Sequence, residues 1–218
     1  MARKQQRKTT RVIVLGASKG GVGKTTLALS LAVEAARSGD KVALLDIDPQ
    51  ASLWNWWQLR DDKSGNPTWI ELGADHTAIG TAIAEGGFDW VFIDTPPGKI
   101  EVTETGVVHG DIVIVPCQPS PVDAIAQGSI AELCRSLGVA HVFAFNQVDP
   151  RGDVPEGTKR IVARFGDMLD ATVARRVVYQ HAFAYGKSGP EMDKDGKAKA
   201  EIAALWGEIR GRVLKGSK

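Results

Sequence analysis

The chain has 218 residues, 43% of them apolar, and a formal net charge of only +1. That composition supports one sizeable core without disulfides or structural metal. The near-neutral balance means that any attraction to nucleic acid must come from local clustering and not from an overall field. Its two cysteines, Cys117 and Cys134, have neither CxxC spacing nor a histidine cluster beside them, which argues against zinc and cluster-bearing reductase chemistry. No apolar run approaches the roughly 20 residues of a membrane span, and the polar start lacks the apolar stretch of a signal peptide, so the cytoplasm is the expected compartment.

Residues 1–10 form a basic arm, expected to be flexible, in which Arg3, Lys4, Arg7 and Lys8 stand without a single acid. Residues 11–218 read as one domain. Arg11 to Leu15 is a short β-branched run of the kind found in buried parallel strands. It leads directly into Gly16-Ala17-Ser18-Lys19-Gly20-Gly21-Val22-Gly23-Lys24-Thr25-Thr26. Glycines let successive backbone N–H groups curl around phosphate oxygens, and the helix predicted over Thr25 to Arg37 adds a favourable N-terminal dipole. In this reading Lys19, Gly20, Gly21, Val22, Gly23, Lys24, Thr25 and Thr26 bind the nucleotide. Lys24 reaches the β- and γ-phosphates, and the Thr25 hydroxyl ligates Mg²⁺. The strict pattern G-x-x-x-x-G-K-[ST] fails, because Ser18 stands where its first glycine belongs, whereas K-G-G-x-G-K-[ST] fits throughout. Lys19 is the surplus charge.

A second apolar run, Val42 to Asp46, ends in Asp46-Ile47-Asp48-Pro49-Gln50, two acids at the strand end where ligands approach open α/β sheets. Trp54, Trp56 and Trp57 follow. Leu53 and Trp57 lie a helical turn apart, and with only Arg60 nearby they read as packing residues, not base-stacking platforms. The run Trp90 to Asp94 has Walker B form, with Asp94 at its tip to hold Mg²⁺ through water, and Pro96-Pro97-Gly98 turns after it. Ile112 to Pro116 and Val142 to Asn146 complete five predicted strands. Asn146-Gln147-Val148-Asp149 is a candidate contact for the base, with Asn146 the leading residue. An N-x-x-D pattern alone leaves ATP and GTP open. Further on, a helix is predicted over Thr158 to Leu169, and Arg175 with Arg176 flank a late strand. A terminal helix carries Ile202, Leu205, Ile209 and Val213 inward and Lys199, Glu208 and Arg212 outward. Strand and helix alternate, which implies an α/β single-domain P-loop NTPase with a mostly parallel twisted sheet covered by helices on both faces.

The variant loop resembles the deviant Walker A of the ParA and MinD group of ATPases. Three stretches, Asp46 to Trp56, Pro116 to Gly128 and Arg175 to Lys187, are similar to the short plasmid partition ATPases of the ParF type. This resemblance implies that Lys19 acts across a homodimer formed on ATP binding, as a counterpart of an arginine finger. It further implies that Asp48 orients the attacking water, so that Lys19, Lys24 and Asp48 are the catalytic set. The turn after Asp94 becomes a γ-phosphate switch, and adenine is favoured over guanine. The implied function is ATP- and Mg²⁺-dependent partition or positioning of a plasmid, chromosome or other cargo. It would involve non-specific DNA, a cargo-bound activating partner protein, and nucleoid association if DNA is bound. Candidate DNA contacts are Arg3, Lys4, Arg7, Lys8, Arg175 and Arg176. The sequence favours this over a MinD-like membrane-surface ATPase, whose basic amphipathic terminus is not evident, and over a metabolic enzyme using the same loop.

Overall fold

A computed structural model describes residues 10–61, 65–72 and 76–216. In chain order they form β1 (Arg11–Leu15), α1 (Lys24–Arg37), β2 (Val42–Asp46), α2 (Ser52–Leu59), β3 (Thr68–Trp69), α3 (Ile79–Gly86), β4 (Trp90–Asp94) and α4 (Ile100–Val107). There follow β5 (Ile112–Cys117), α5 (Pro121–Leu137), β6 (His141–Val148), α6 (Glu156–Val162), β7 (Val173–Ala174), α7 (Val177–Phe183), α8 (Gly189–Met192) and α9 (Lys197–Lys215). The seven strands make one parallel sheet in the order β3-β2-β4-β1-β5-β6-β7.

Strand side chains alternate between two cores. Ile13, Leu15, Leu44, Phe92 and Ile114 pack with α1, α2 and α9 on one face. Val12, Val14, Leu45, Val91 and Val113 pack with α3, α4, α5 and α6 on the other. This double burial is why the strands read as continuous apolar runs. Removing a side chain such as Leu44 or Phe92 from water contributes on the order of 1.5–3 kcal/mol. Pro116 is tolerated inside β5 because pairing with β1 stops at Ile114.

Several expectations are revised. The helix predicted over Thr158 to Leu169 stops at Val162. Beyond it the backbone pairs with β6, Phe143 N–H donating to Asp167 O and Leu169 N–H to Phe143 O, each at 2.9 Å. The stripe on α9 is buried as read, but Glu208 is not a free solvent group. Its carboxylate accepts the N–H of Asp170 at 2.9 Å and of Ala171 at 2.8 Å. Glu201, two turns earlier, accepts the N–H of Ala174 on β7, so α9 satisfies donors along that sheet edge.

In α2 the buried pair is Leu53 and Trp56, not Leu53 and Trp57. Trp57 packs on the outside of the core, where Trp54, Trp57 and Trp69 form a cluster with ring centroids 4.8 to 5.9 Å apart. Trp56 Nε1 donates to Lys187 O at 3.0 Å. Arg60 lies over its ring and forks onto Glu191 at 2.9 and 3.1 Å, latching α2 to the segment around α8. Among the described residues no helix is long and apolar enough to cross a membrane.

Candidate nucleotide site

The carboxyl ends of β1, β2 and β4 lie level in the sheet, with Asp94 in register with both Leu15 and Asp46. The loop that leaves β1 therefore meets both carboxylates at once. Gly21 and Gly23 have φ of 77° and 96°, a region that side chains rarely adopt. Gly23 is doubly constrained, because a Cβ there would lie 2.1 Å from Asn146 Nδ2. No side chain caps α1 at Gly23, which leaves the N–H groups of its first turn for a ligand.

Side chains from β5, α5 and β6 brace the loop. Asn146, buried at the end of β6, donates to Val22 O at 2.7 Å, and Gln147 donates to Gly21 O at 2.6 Å. Ser18 N–H donates to Gln127 Oε1 at 2.9 Å. On the other side, Gly98 N–H of the Pro96–Gly98 turn donates to Ala17 O at 3.4 Å.

Lys24 is 7% exposed, and burial lowers its pKa against the opposing pull of Asp94, Asp48 and Asp46. Asp94 is 1% exposed. Burial, and then the neighbouring Asp46, push it up to about 7. Its Oδ2 accepts the Thr25 hydroxyl at 2.5 Å, while Oδ1 is buried with no hydrogen-bond partner. A hydroxyl whose proton is turned to the carboxylate, beside an orphaned carboxylate oxygen, fits a hydrated Mg²⁺ that takes its remaining ligands from phosphate and water. Among the described residues no group of three or more His, Cys, Asp or Glu side chains forms an all-protein metal cage.

Asp46 has a positional part that its sequence context did not reveal. Its Oδ1 accepts Asp48 N–H at 2.9 Å, and its Oδ2 accepts the N–H groups of Leu53 and Trp54 at 2.9 and 3.2 Å. One carboxylate thus ties the turn bearing Asp48 to the start of α2. Asp48, half-buried, accepts Gln50 N–H at 3.0 Å and faces a cavity of about 650 Å³.

The wall of that cavity runs from Gly20 and Gly21 through Gly23 to Thr26, past Asp48, Pro97 and Asn146, to Arg175, Arg176, Tyr179 and Phe183. Lys19 is exposed, and its side chain is not among those forming the wall. Arg176 is held by Glu201 through a two-pronged ion pair, which competes with a DNA-phosphate role. Arg175 reaches Gln147 Oε1 at 3.4 Å. Arg3, Lys4, Arg7 and Lys8 lie outside the described residues.

The model of the CobQ/CobB/MinD/ParA nucleotide binding domain matches residues 13–183. The chain belongs to this family. A relative in Gloeobacter kilaueensis, maintenance of carboxysome distribution protein A, is 30% identical over 188 residues, covering 82% of this chain and 83% of the relative. Protein ParA of Rhizobium radiobacter is 28% identical over 203 residues, covering 88% and 90% respectively. The fold matches that of the septum site-determining protein MinD from Pyrococcus horikoshii, solved in complex with Mg-ADP. There the TM-score is 0.75 at 19% identity, over 92% of this chain and 96% of that one. Within a family of P-loop NTPases, the stretch from Lys19 to Thr26 is the phosphate loop.

Proposed function

We propose that this chain is a Mg²⁺-dependent ATPase that dimerises around ATP and partitions or positions a plasmid, chromosome or other intracellular cargo. The observation that carries the reading is Lys19: an exposed ammonium on the bend of a phosphate loop whose cradle, lysine, hydroxyl and carboxylate are all in place. Two such faces brought together would present each Lys19 to the other copy's nucleotide, a device worth roughly 10³ to 10⁵ in rate.

Lys24, desolvated by its position, binds the β- and γ-phosphates without reorganisation. Asp48, fixed by Asp46, orients water for in-line attack on the γ-phosphate. Thr25 and Asp94 would hold Mg²⁺, which supplies charge neutralisation across the phosphates. Asn146 and the β7–α7 wall receive the nucleoside, read as adenosine from the family and from the Mg-ADP in the MinD relative. The basic arm over residues 1–10 holds non-specific DNA in the ATP state, a partner protein on the cargo accelerates hydrolysis, and hydrolysis releases the dimer. The names of the carboxysome-distribution and ParA relatives support the positioning role. In this reading the protein works in the cytoplasm, on the nucleoid.

The test is Lys19→Ala. ATP-dependent dimerisation, followed by light scattering, should disappear while binding of a fluorescent ATP analogue changes less than threefold. A Lys19→Ala protein that dimerises like the wild type overturns the reading.

A further inference from the structure

The stretch Pro116 to Gly128 has no part in the chemistry above, yet its buried polar side chains converge on the phosphate loop. Asp123 and Gln127, one turn apart on α5, are 7% and 0% exposed. Asp123 Oδ2 accepts Gln118 N–H at 2.7 Å, and Asp123 Oδ1 accepts Gln127 Nε2 at 3.5 Å. Each glutamine then holds a different part of the loop. Gln118 Nε2 donates to the crest, at Gly21 O, at 3.4 Å. Gln127 Oε1 accepts from the leading limb twice, from Ser18 N–H at 2.9 Å and from Ser18 Oγ–H at 3.3 Å.

This explains the departure at residue 18. A glycine there would offer Gln127 one donor, and the serine offers two. The limb so fixed is narrow and loaded. Ala17 accepts Gly98 N–H of the turn after β4, and a Cβ on Gly98 would sit 3.3 Å from Ser18 O. Lys19 is the next residue along. A flexible ammonium on a loose limb would sample many directions, and holding both donors of Ser18 restricts where that limb points its lysine.

We infer that Gln127, oriented by Asp123, is a positioning residue that fixes the Ser18 limb and thereby aims Lys19 at the nucleotide of a second copy. This rests on the dimer reading above. Gln127 touches no substrate in this role, because it acts through Ser18.

The experiment compares wild type, Lys19→Ala, Gln127→Leu, Gln127→Glu and Ser18→Ala, reading MgADP affinity, ATP-dependent dimerisation by light scattering, and kcat. Gln127→Leu keeps the volume and removes the acceptor. It should keep MgADP affinity within threefold of wild type, weaken ATP-dependent dimerisation at least tenfold, and lower kcat to match. Gln127→Glu, whose protonated form accepts from Ser18 and donates to Asp123 as the amide does, should restore both to within threefold. Should Gln127→Leu fail to fold, Ser18→Ala removes one of the two bonds from the loop side and should weaken dimerisation about threefold with MgADP affinity unchanged. If Gln127→Leu or Ser18→Ala weakens MgADP binding as much as dimerisation, or leaves dimerisation untouched, the positioning role is refuted. If Lys19→Ala dimerises normally, it is the dimer reading that fails, and that result is separate from any obtained at Gln127.

Discussion

Gly23→Ala is the sharpest test of how the loop is built. The residue has φ of 96°, and a non-glycine residue held there costs about 1–2 kcal/mol. A Cβ would also lie 2.1 Å from Asn146 Nδ2, a separation that no rotamer of alanine can relieve, so the Asn146 side chain must swing away. That breaks its 2.7 Å bond to Val22 O and leaves a buried amide without its partner, a loss of about 1–3 kcal/mol. Together the two terms predict destabilisation of roughly 2–5 kcal/mol. For a chain of this size that is a fall in Tm of about 4–20 °C. Thermal unfolding without nucleotide measures it directly. The decisive control is the pair with Asn146→Ala, which removes the colliding group: in that background Gly23→Ala should lose only the backbone share, about 1–2 kcal/mol. If the two substitutions are additive, the clash is not what makes glycine necessary at this position.

The remaining expectations concern the α2 latch and DNA. Burial on its own would raise the Glu191 carboxyl, but the Arg60 fork and Ser188 N–H outweigh it and hold the pKa below its ordinary value. A depressed carboxyl stabilises the fold above its unfolded pKa, and that stability is lost as pH falls through the folded value. Arg60→Leu should therefore lower stability by on the order of 1.5–3 kcal/mol at pH 7. The gap from wild type should narrow in urea titrations below about pH 4, and a gap that stays constant with pH refutes the assignment. For DNA, neutralising Arg3, Lys4, Arg7 and Lys8 to glutamine should flatten the salt dependence of ATP-state retention on random duplex DNA, by close to 0.9 in log–log slope per lost contact. Arg176→Gln should leave that slope alone, because its guanidinium is already engaged by Glu201.

The bounds of β1, β2 and β4 were legible in the sequence because each is an apolar run, buried on both faces and closed by a turn residue. The phosphate loop was legible for a related reason: glycine spacing and a following helix are local features. What escaped was non-local. Gln127 and Ser18 are separated by 109 positions, and Asn146 and Val22 by 124, so no window of sequence could pair them. Asn146 had been read only as a base contact, and the fold also gives its amide a bond to the loop. The strands β3 and β7 are two residues each, too short for any periodicity to register. The overlong helix after Glu156 and the outward Glu208 both failed because backbone donors near β6 and β7 required partners that amphipathic patterning does not count.

The carboxylate of Asp46 has one further consequence. It carries the amides of Leu53 and Trp54 on one oxygen and that of Asp48 on the other, so a displacement of the Asp48 turn is transmitted to the first turn of α2. The indoles of Trp54, Trp57 and Trp69 sit at the end of that lever, stacked closely enough to alter one another's emission. The molecule thus carries its own optical gauge of the phosphate pocket, wired through a single acidic side chain and requiring no added label.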